Sequence, residues 1–326
     1  MKKQLYLLII IVLLSNLIYA QESDADKLKI DKSKILSKLD GLALAQITVN
    51  YKLTTTAKMV AQEKGTRQTA GARISAFLET TDEELSANDF QEVTDYFYFY
   101  FQKKLKENGI DTVAWNTITA TDFYKNAVDK DADEKKDESK EKGGNEWVTY
   151  TAHKGNTLHG KNELGFAFGK IKKGSSFCEE IGAPAGFFYL TVDFADVLVN
   201  LDIKTSREEN MYYSKTTTKK TYAWAVKPDM RVGQPDAGLT LFWNKKSQSE
   251  ILTQKKDMEG GVKYADEVSD DPSKARTGLA KQFAFSKELT PILIQTTREK
   301  YKAAAKKALE KYADAFVVKS QQLKND

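Results

Sequence analysis

The chain of 326 residues has little of the side-chain chemistry on which most enzymes depend. It contains one cysteine, Cys178, and two histidines, His153 and His159. One cysteine excludes an intrachain disulfide and a cysteine-rich zinc site, and two histidines leave few groups that transfer protons near neutral pH. The 50 Lys and Arg residues exceed the 46 Asp and Glu residues by a net charge of only +4. Because nucleic-acid binding needs a strong basic excess or patch, we expect no nucleic-acid partner.

Long hydrophobic runs are also missing beyond the amino terminus. There, Lys2 and Lys3 precede an apolar run, Leu5–Leu14, and Ala20 ends the stretch before polar residues. This order predicts a secretory signal peptide over residues 1–20. An uncleaved anchor is the alternative, but the run is shorter than the roughly 20 residues of a spanning helix. Gln21, not cysteine, directly follows Ala20, so we expect no lipid anchor. Since no later run is apolar enough to span a bilayer, we expect no transmembrane segment in the mature chain and a periplasmic or secreted protein.

Residues 21–128 alternate predicted helices and strands, which favours an α/β region with helices packed on a sheet. Asp89 and Glu92 have the spacing of a capping box, and Gly109 ends the helix that follows. The predicted elements, in chain order, are a helix over 27–40, strands over 47–53 and 73–80, a long helix over 88–108, a short strand over 110–115 and a helix over 119–128.

Residues 129–144 differ sharply in composition from the rest of the chain. They read DKDADEKKDESKEKGG and include no large apolar residue. This composition predicts a charged, flexible linker. Asp129, Asp131 and Asp133 resemble the start of an EF-hand calcium loop. However, Glu134 stands where glycine is required and Lys140 where the bidentate glutamate is required. We therefore predict no EF-hand here, and a diffuse, weak cation site is the alternative that the acids leave open.

Residues 145–288 are predicted to be rich in strands. Apolar residues alternate at even positions from Phe188 to Phe194 and at odd positions from Val197 to Ile203. Because a one-residue change of phase moves side chains to the other face of a sheet, the pattern predicts a bulge or bend at Ala195-Asp196. Further strands are predicted over 212–226, 239–243 and 250–253.

Residues 289–326 are predicted to form a long amphipathic helix that packs back on the sheet. Thr290 is a suitable cap and Pro291 suits the first helical position. At 100° per residue one stripe is apolar, and the opposite face carries Lys302, Lys306, Lys307 and Lys311. That basic face is either solvated or attracted to an anionic lipid or polymer. The fold class predicted is α+β: an α/β layer with a mixed sheet, a β-rich second half and a long C-terminal helix.

Three patterns point toward catalytic, metal or phosphate chemistry, and each is incomplete. His153, His159 and Glu163 offer three metal ligands but lack the close helical spacing of common zinc sites. Cys178 is followed by two acids, which would raise the pKa of its thiol. Gly169–Ser176 has the glycine spacing of a phosphate loop but not its lysine, so a turn is predicted. We predict no catalytic residue, no cofactor and no metal.

The least usual feature is an unbroken aromatic run from Tyr96 to Phe101. Within the predicted helix most of its rings fall on one arc, as expected for core residues. Phe99 falls on the opposite side and Tyr96 at the edge. Either a second layer covers Phe99, or Phe99 and Tyr96 contact a partner, which includes a second copy of the chain.

A family resemblance rests on the order of elements between Ala72 and Tyr124. That block contains ARISAFLETT and KLKENGIDTVAW, and the long strand Phe187–Phe194 follows it. It resembles the small α/β domain shared by the curli-secretion lipoprotein family and the amino-terminal domain of TolB. The resemblance implies an envelope protein that works by assembly or binding without catalysis. The lipoprotein cysteine of the secretion family is absent from this chain.

These observations lead us to expect an exported, non-enzymatic binding or assembly protein of the cell envelope. Its partner would be another envelope protein or a second copy. The alternative is a secreted hydrolase in which His153 or His159 works with Asp193 or Asp196. That alternative requires a histidine and a carboxylate to converge in a pocket.

Overall fold

A computed structural model describes residues 23–30, 34–62, 69–126, 146–158, 168–209, 214–233, 239–243, 248–274 and 291–325. The fold is α+β, as predicted, with mixed sheets and a long C-terminal helix. The predicted leader, the 129–144 linker, His159 and Glu163 lie outside the described residues. Within the described ranges, no helix combines the length and apolar character needed to cross a membrane.

The strands and helices are numbered here in chain order. The strands are β1 Leu28–Ile30, β2 Gly41–Lys52, β3 Thr54–Gln62, β4 Thr69–Thr80, β5 Asp111–Thr112, β6 Trp147–Thr151, β7 Ala185–Glu209, β8 Ser214–Gly233, β9 Leu239–Trp243, β10 Gln248–Gln254, β11 Met258–Glu259, β12 Glu267–Ser269 and β13 Ile292–Thr296. The helices are α1 Ala87–Glu107, α2 Trp115–Ala120, α3 Asp122–Lys125, α4 Phe168–Ile181 and α5 Arg298–Asn325.

The larger sheet joins nine described strands, and β2 lies near one end of it, between β7 and the edge strands β5 and β6. On one side β2 pairs in parallel with β7. On the other side it pairs in parallel with β5 and antiparallel with β6. Both faces of β2 are buried, as is typical of strands between helical layers. Leu44, Val49 and Tyr51 belong to the core shared with α1 and α5, whereas Ala43 and Ala45 pack with side chains of α2 and α4.

A smaller sheet has the order β12-β13-β4-β3. β13 is parallel to β4, and β3 and β4 form an antiparallel pair. β3 follows β2 after a single residue, Leu53, so the chain passes directly from the larger sheet into the smaller one. β3 and β4 both contact β7.

Helix α1 confirms the predicted long helix but not its predicted cap. Its N-cap is Ser86, whose hydroxyl and backbone N–H both donate to Asp89 Oδ2, at 2.7 and 2.8 Å. Glu92 instead accepts from Lys302 at 2.9 Å and Lys306 at 2.5 Å, both on α5. Gly109, with a φ of 72°, ends the helix as predicted.

Helix α5 begins later than the sequence predicts. Pro291 precedes β13, and the helix starts at Arg298, whose backbone N–H donates to Asp82. All five residues of β13 are buried, and parallel pairing with β4 stabilises the segment as a strand. The basic face is not simply solvated, because Lys302 and Lys306 bind Glu92 of α1.

Two further predictions are wrong. The helix expected over 27–40 is replaced by β1 and by short 3-10 turns. The causes are contacts with distant residues. β1 pairs with β10, and the buried Glu250 carboxylate accepts from the backbone N–H groups of Ile35 and Leu36, at 2.5 and 3.1 Å. The turn expected at Gly169–Ser176 is part of helix α4, which buries Phe177 against the sheet.

The predicted irregularity in the long β7 strand is confirmed, slightly earlier than expected. Pairing with β8 changes register between Asp193 and Ala195. The extra residue is on β8, where two residues lie opposite Phe194. Phe194 and Ala195, at this change of register, are both buried in the same core.

Phe316 should be a principal determinant of stability. Its ring is fully buried against Phe101 of α1 and Phe188 of β7, with centroid distances of 5.2 and 5.6 Å. We expect Phe316→Ala to lower the free energy of unfolding by about 3–5 kcal/mol in urea titrations. Val318→Ala on the same helix is the matched control, because Val318 is 43% exposed; its effect should stay within about 0.5 kcal/mol. Equal losses for both variants would contradict the observed packing.

Candidate functional site

The structure leaves Phe99 uncovered and engages Tyr96 with helix α5. Phe99 is 57% exposed and Tyr96 36% exposed. The Tyr96 hydroxyl donates to Glu310 at 2.5 Å, and this hydrogen bond raises the pKa of Tyr96 to about 12. Lys306 lies over the Tyr96 ring. Tyr96 therefore joins the two long helices, and Phe99 is the residue of the pair whose ring is mostly accessible.

Phe99 belongs to a group of rings that centres on His153, which we call the aromatic surface: Tyr98, Phe99, Trp115 and His153. The His153 ring stacks on Trp115 at 4.8 Å and meets Tyr98 edge to face at 4.3 Å. Phe99 meets His153 edge to face at 5.4 Å. Tyr98 is buried beneath these rings, so the exposed Phe99 rests on a packed aromatic base.

A strained turn presents His153 to the other rings. His153 and Lys154 have φ values of 58° and 52°, in the left-handed region that costs non-glycine residues of order 1–3 kcal/mol. The His153 backbone N–H donates to Asp95 of α1 at 2.6 Å, and Gln91 also donates to that carboxylate at 3.0 Å. Asp95 thus fastens the turn to the helix that carries Phe99.

The position immediately after this turn, Gly155, leaves little room for a side chain. A β-carbon at Gly155 would lie 2.7 Å from the Tyr124 hydroxyl and 3.0 Å from the Trp115 ring. The close approach lets Tyr124 accept a hydrogen bond from the Asn156 backbone N–H at 3.1 Å. The aromatic surface is therefore built from three separate parts of the chain: α1, α2–α3 and the turn at 152–155.

The imidazole of His153 is held in its neutral form. Burial lowers its pKa, and the nearby Asp95 carboxylate opposes that change only in part. Its Nε2 atom is buried and makes no hydrogen bond within the described structure. A neutral, stacked imidazole acts here as another ring of the surface. Asp95 and Trp115 were missed from the sequence, since neither lies in a recognisable motif.

The residues of the hydrolase alternative are not brought together in the described structure. Asp193 accepts from Lys52 at 2.5 Å and from Thr55 at 2.6 Å, and no described hydrogen bond or ion pair joins it to His153.

Burial raises the pKa of Cys178 to about 12, so its thiol is not activated. The described side chains include no group of three potential metal ligands.

A second candidate site is the two-stranded extension that we call the arm, β7 from Asp193 to Glu209 and β8 from Ser214 to Met230. β7 pairs with β2 only as far as Val192, after which it pairs with β8 alone. The arm is up to about 55 Å long at roughly 3.3 Å per residue. Among the described strands, none pairs with the outer edge of β7 or of β8 along the arm.

The base of the arm is fixed by charged groups at the change of register. Arg231 donates to the Ala195 carbonyl at 2.6 Å and lies 3.1 Å from Asp196 and 3.8 Å from Asp193. Tyr264 donates to the Phe194 carbonyl. Val197 is buried here, but the adjacent Leu198 is 58% exposed. At its base, one face of the arm therefore packs on the body while the other is open.

Comparison of the chain with protein-family models, with curated proteins and with solved structures gives no significant match. The resemblance to the curli-secretion and TolB domains stays a prediction.

Titration of His153 should make stability depend on pH. Its pKa is lowered in the folded chain, whereas an unfolded histidine has a pKa of about 6.5. Between these two values the unfolded chain binds more protons, so stability falls as pH decreases below about 6.5. We expect His153→Asn, which tolerates the left-handed backbone, to remove this part of the slope in urea titrations from pH 7.5 to 5. An unchanged slope would contradict the burial of the imidazole.

Proposed function

We propose that the protein is an exported, non-catalytic assembly protein of the cell envelope, and that copies join through the arm. The observation that carries the proposal is the two-stranded arm, whose outer edges have no described partner strand. Export is inferred from the leader-like residues 1–20.

Physical reasoning supports pairing of the arm edges. An exposed strand edge presents a row of N–H and C=O groups that another strand satisfies by hydrogen bonding. A two-stranded ribbon by itself is at best marginally stable in water. β3 and β4 contact β7, but no described strand extends the ribbon sideways. A strand added to either edge would therefore stabilise the arm.

A second copy is the favoured partner because each copy has both edges. If the β7 edge of one copy pairs with the β8 edge of the next copy, the same contact can repeat from copy to copy. The first and last copies of such a row would then have one unpaired edge each, a β7 edge at one end and a β8 edge at the other. A repeating contact of this kind builds a ring where its rotation closes and a filament where it does not. Another envelope protein that offers a strand would use the same hydrogen bonds.

The hydrolase alternative has less support. His153 is stacked between rings, and its nearest described carboxylate, Asp95, accepts from the backbone N–H of the turn. A general base needs its ring nitrogen directed toward a proton of the substrate. The Nε2 atom of His153 is buried in the described structure, so this nitrogen is not accessible to a substrate.

Shortening the arm should abolish assembly without unfolding the body. Leu198 lies opposite Ala225 in the β7–β8 register, so an Asn-Gly turn in place of residues 199–224 closes a much shorter hairpin and removes most of both edges. We expect the full chain, without its leader, to form oligomers by sedimentation or light scattering, and the shortened variant to be a monomer with a similar melting temperature. Phe99→Ala is the control that should still assemble.

A full chain that stays monomeric at its highest soluble concentration would overturn self-assembly. So would a folded, shortened variant whose oligomers match those of the full chain. Circular dichroism of the shortened variant separates loss of assembly from loss of folding.

A further inference from the structure

The aromatic surface is positioned to receive one apolar side chain. Phe99 projects from the middle of α1, and Trp115 and His153 lie beside it on packed, hydrogen-bonded elements. The strained turn at His153 is held by Asp95, so the rings are fixed before any partner arrives. A rigid site loses little conformational entropy on binding, which favours recognition of a short segment.

The charges around the aromatic surface are mainly positive. Lys103 follows Phe99 by one helical turn and its side chain is 71% exposed. Lys106 and Lys154 are also exposed, and neither has an ion-pair partner among the described residues. Lys103 has only a 3.7 Å contact with Glu107, on the surface, which water screens strongly.

The acids nearest to Phe99 are already used within the molecule. Glu92 binds Lys302 and Lys306 of α5. Asp95 accepts from the His153 backbone and from Gln91. Asp95 keeps its negative charge, but the exposed Lys103, Lys106 and Lys154 outnumber it, so the charge around the exposed ring attracts negatively charged groups.

From this geometry we infer that the aromatic surface binds a segment of a partner protein in which a large apolar side chain is flanked by carboxylates. The apolar side chain lies on Phe99 and Trp115, and the carboxylates lie near Lys103 and Lys154. This site is separate from the arm. It gives the protein a second interaction, with a different kind of partner from the strand edges.

A peptide carrying this chemistry tests the inference directly. The probe is a fluorescein-labelled peptide, Glu-Asp-Phe-Glu-Asp, measured by fluorescence anisotropy with the full chain. Two control peptides replace the phenylalanine by alanine, or the acids by lysine and arginine. We expect the unmodified chain to bind only the first peptide. The Phe99→Ala variant should bind this peptide at least tenfold more weakly. The Val318→Ala variant, changed at an exposed residue of α5, should bind it as the unmodified chain does.

A charge exchange separates recognition from simple stickiness. In the double variant Lys103→Glu, Lys154→Glu we expect the preference to reverse toward the basic peptide. A photoreactive benzoylphenylalanine in place of the peptide phenylalanine should form crosslinks to α1 near Phe99 or to the turn at 152–155, identified by mass spectrometry. Circular dichroism confirms that each variant is folded.

Several results would overturn the inference. Equal binding of the acidic and basic peptides, retained affinity in folded Phe99→Ala, or crosslinks elsewhere would each exclude the proposed site. Binding of vesicles containing phosphatidylglycerol, with no binding of the acidic peptide, would assign the surface to an anionic membrane instead. Loss of assembly in the arm variant would leave peptide binding unchanged, so the two proposals fail independently.

Discussion

The separation of β2 from β7 determines the shape of the molecule. The two strands are parallel neighbours as far as the pair Tyr51 and Val192, and there the chain of β2 enters the smaller sheet as β3. At this fork, Asp193 of β7 accepts hydrogen bonds from Lys52 of β2 and from Thr55 of β3. Beyond the fork, no described strand pairs with β7 on that side, although β3 and β4 contact it. The parallel pairing that joins β2 and β7 in the body therefore ends where the arm begins.

The two candidate surfaces obtain their rigidity from different interactions. The arm is anchored by the buried residues around Phe194 and by the ion pairs of Arg231. The aromatic surface is anchored by α1, which is bound to α5 through Glu92 and through Tyr96. Because Tyr96 is used in this contact, Phe99 carries the exposed apolar character of the aromatic run. The proposed assembly and the proposed peptide binding can therefore be altered separately.

Sequence patterns predicted the features that depend on neighbouring residues. The long helix, its end at Gly109 and the change of phase near Ala195 follow from local spacing. The β13 segment was misassigned because its strand conformation depends on pairing with β4, which is more than 200 residues away in sequence. Periodicity also placed Phe99 away from the core. It could not predict the hydrogen bond between Asp95 and His153, because these residues are 58 positions apart in sequence.

Hydrogen exchange along the arm tests the central claim most directly. Where β7 pairs with β8, the N–H groups that point outward from Asp193 to Glu209 have no described acceptor strand. If copies pair through these edges, exchange measured by mass spectrometry should slow in the arm as protein concentration rises, while exchange in α1 and β2 stays unchanged. Exchange in the arm that is equally fast at every concentration would contradict pairing between copies.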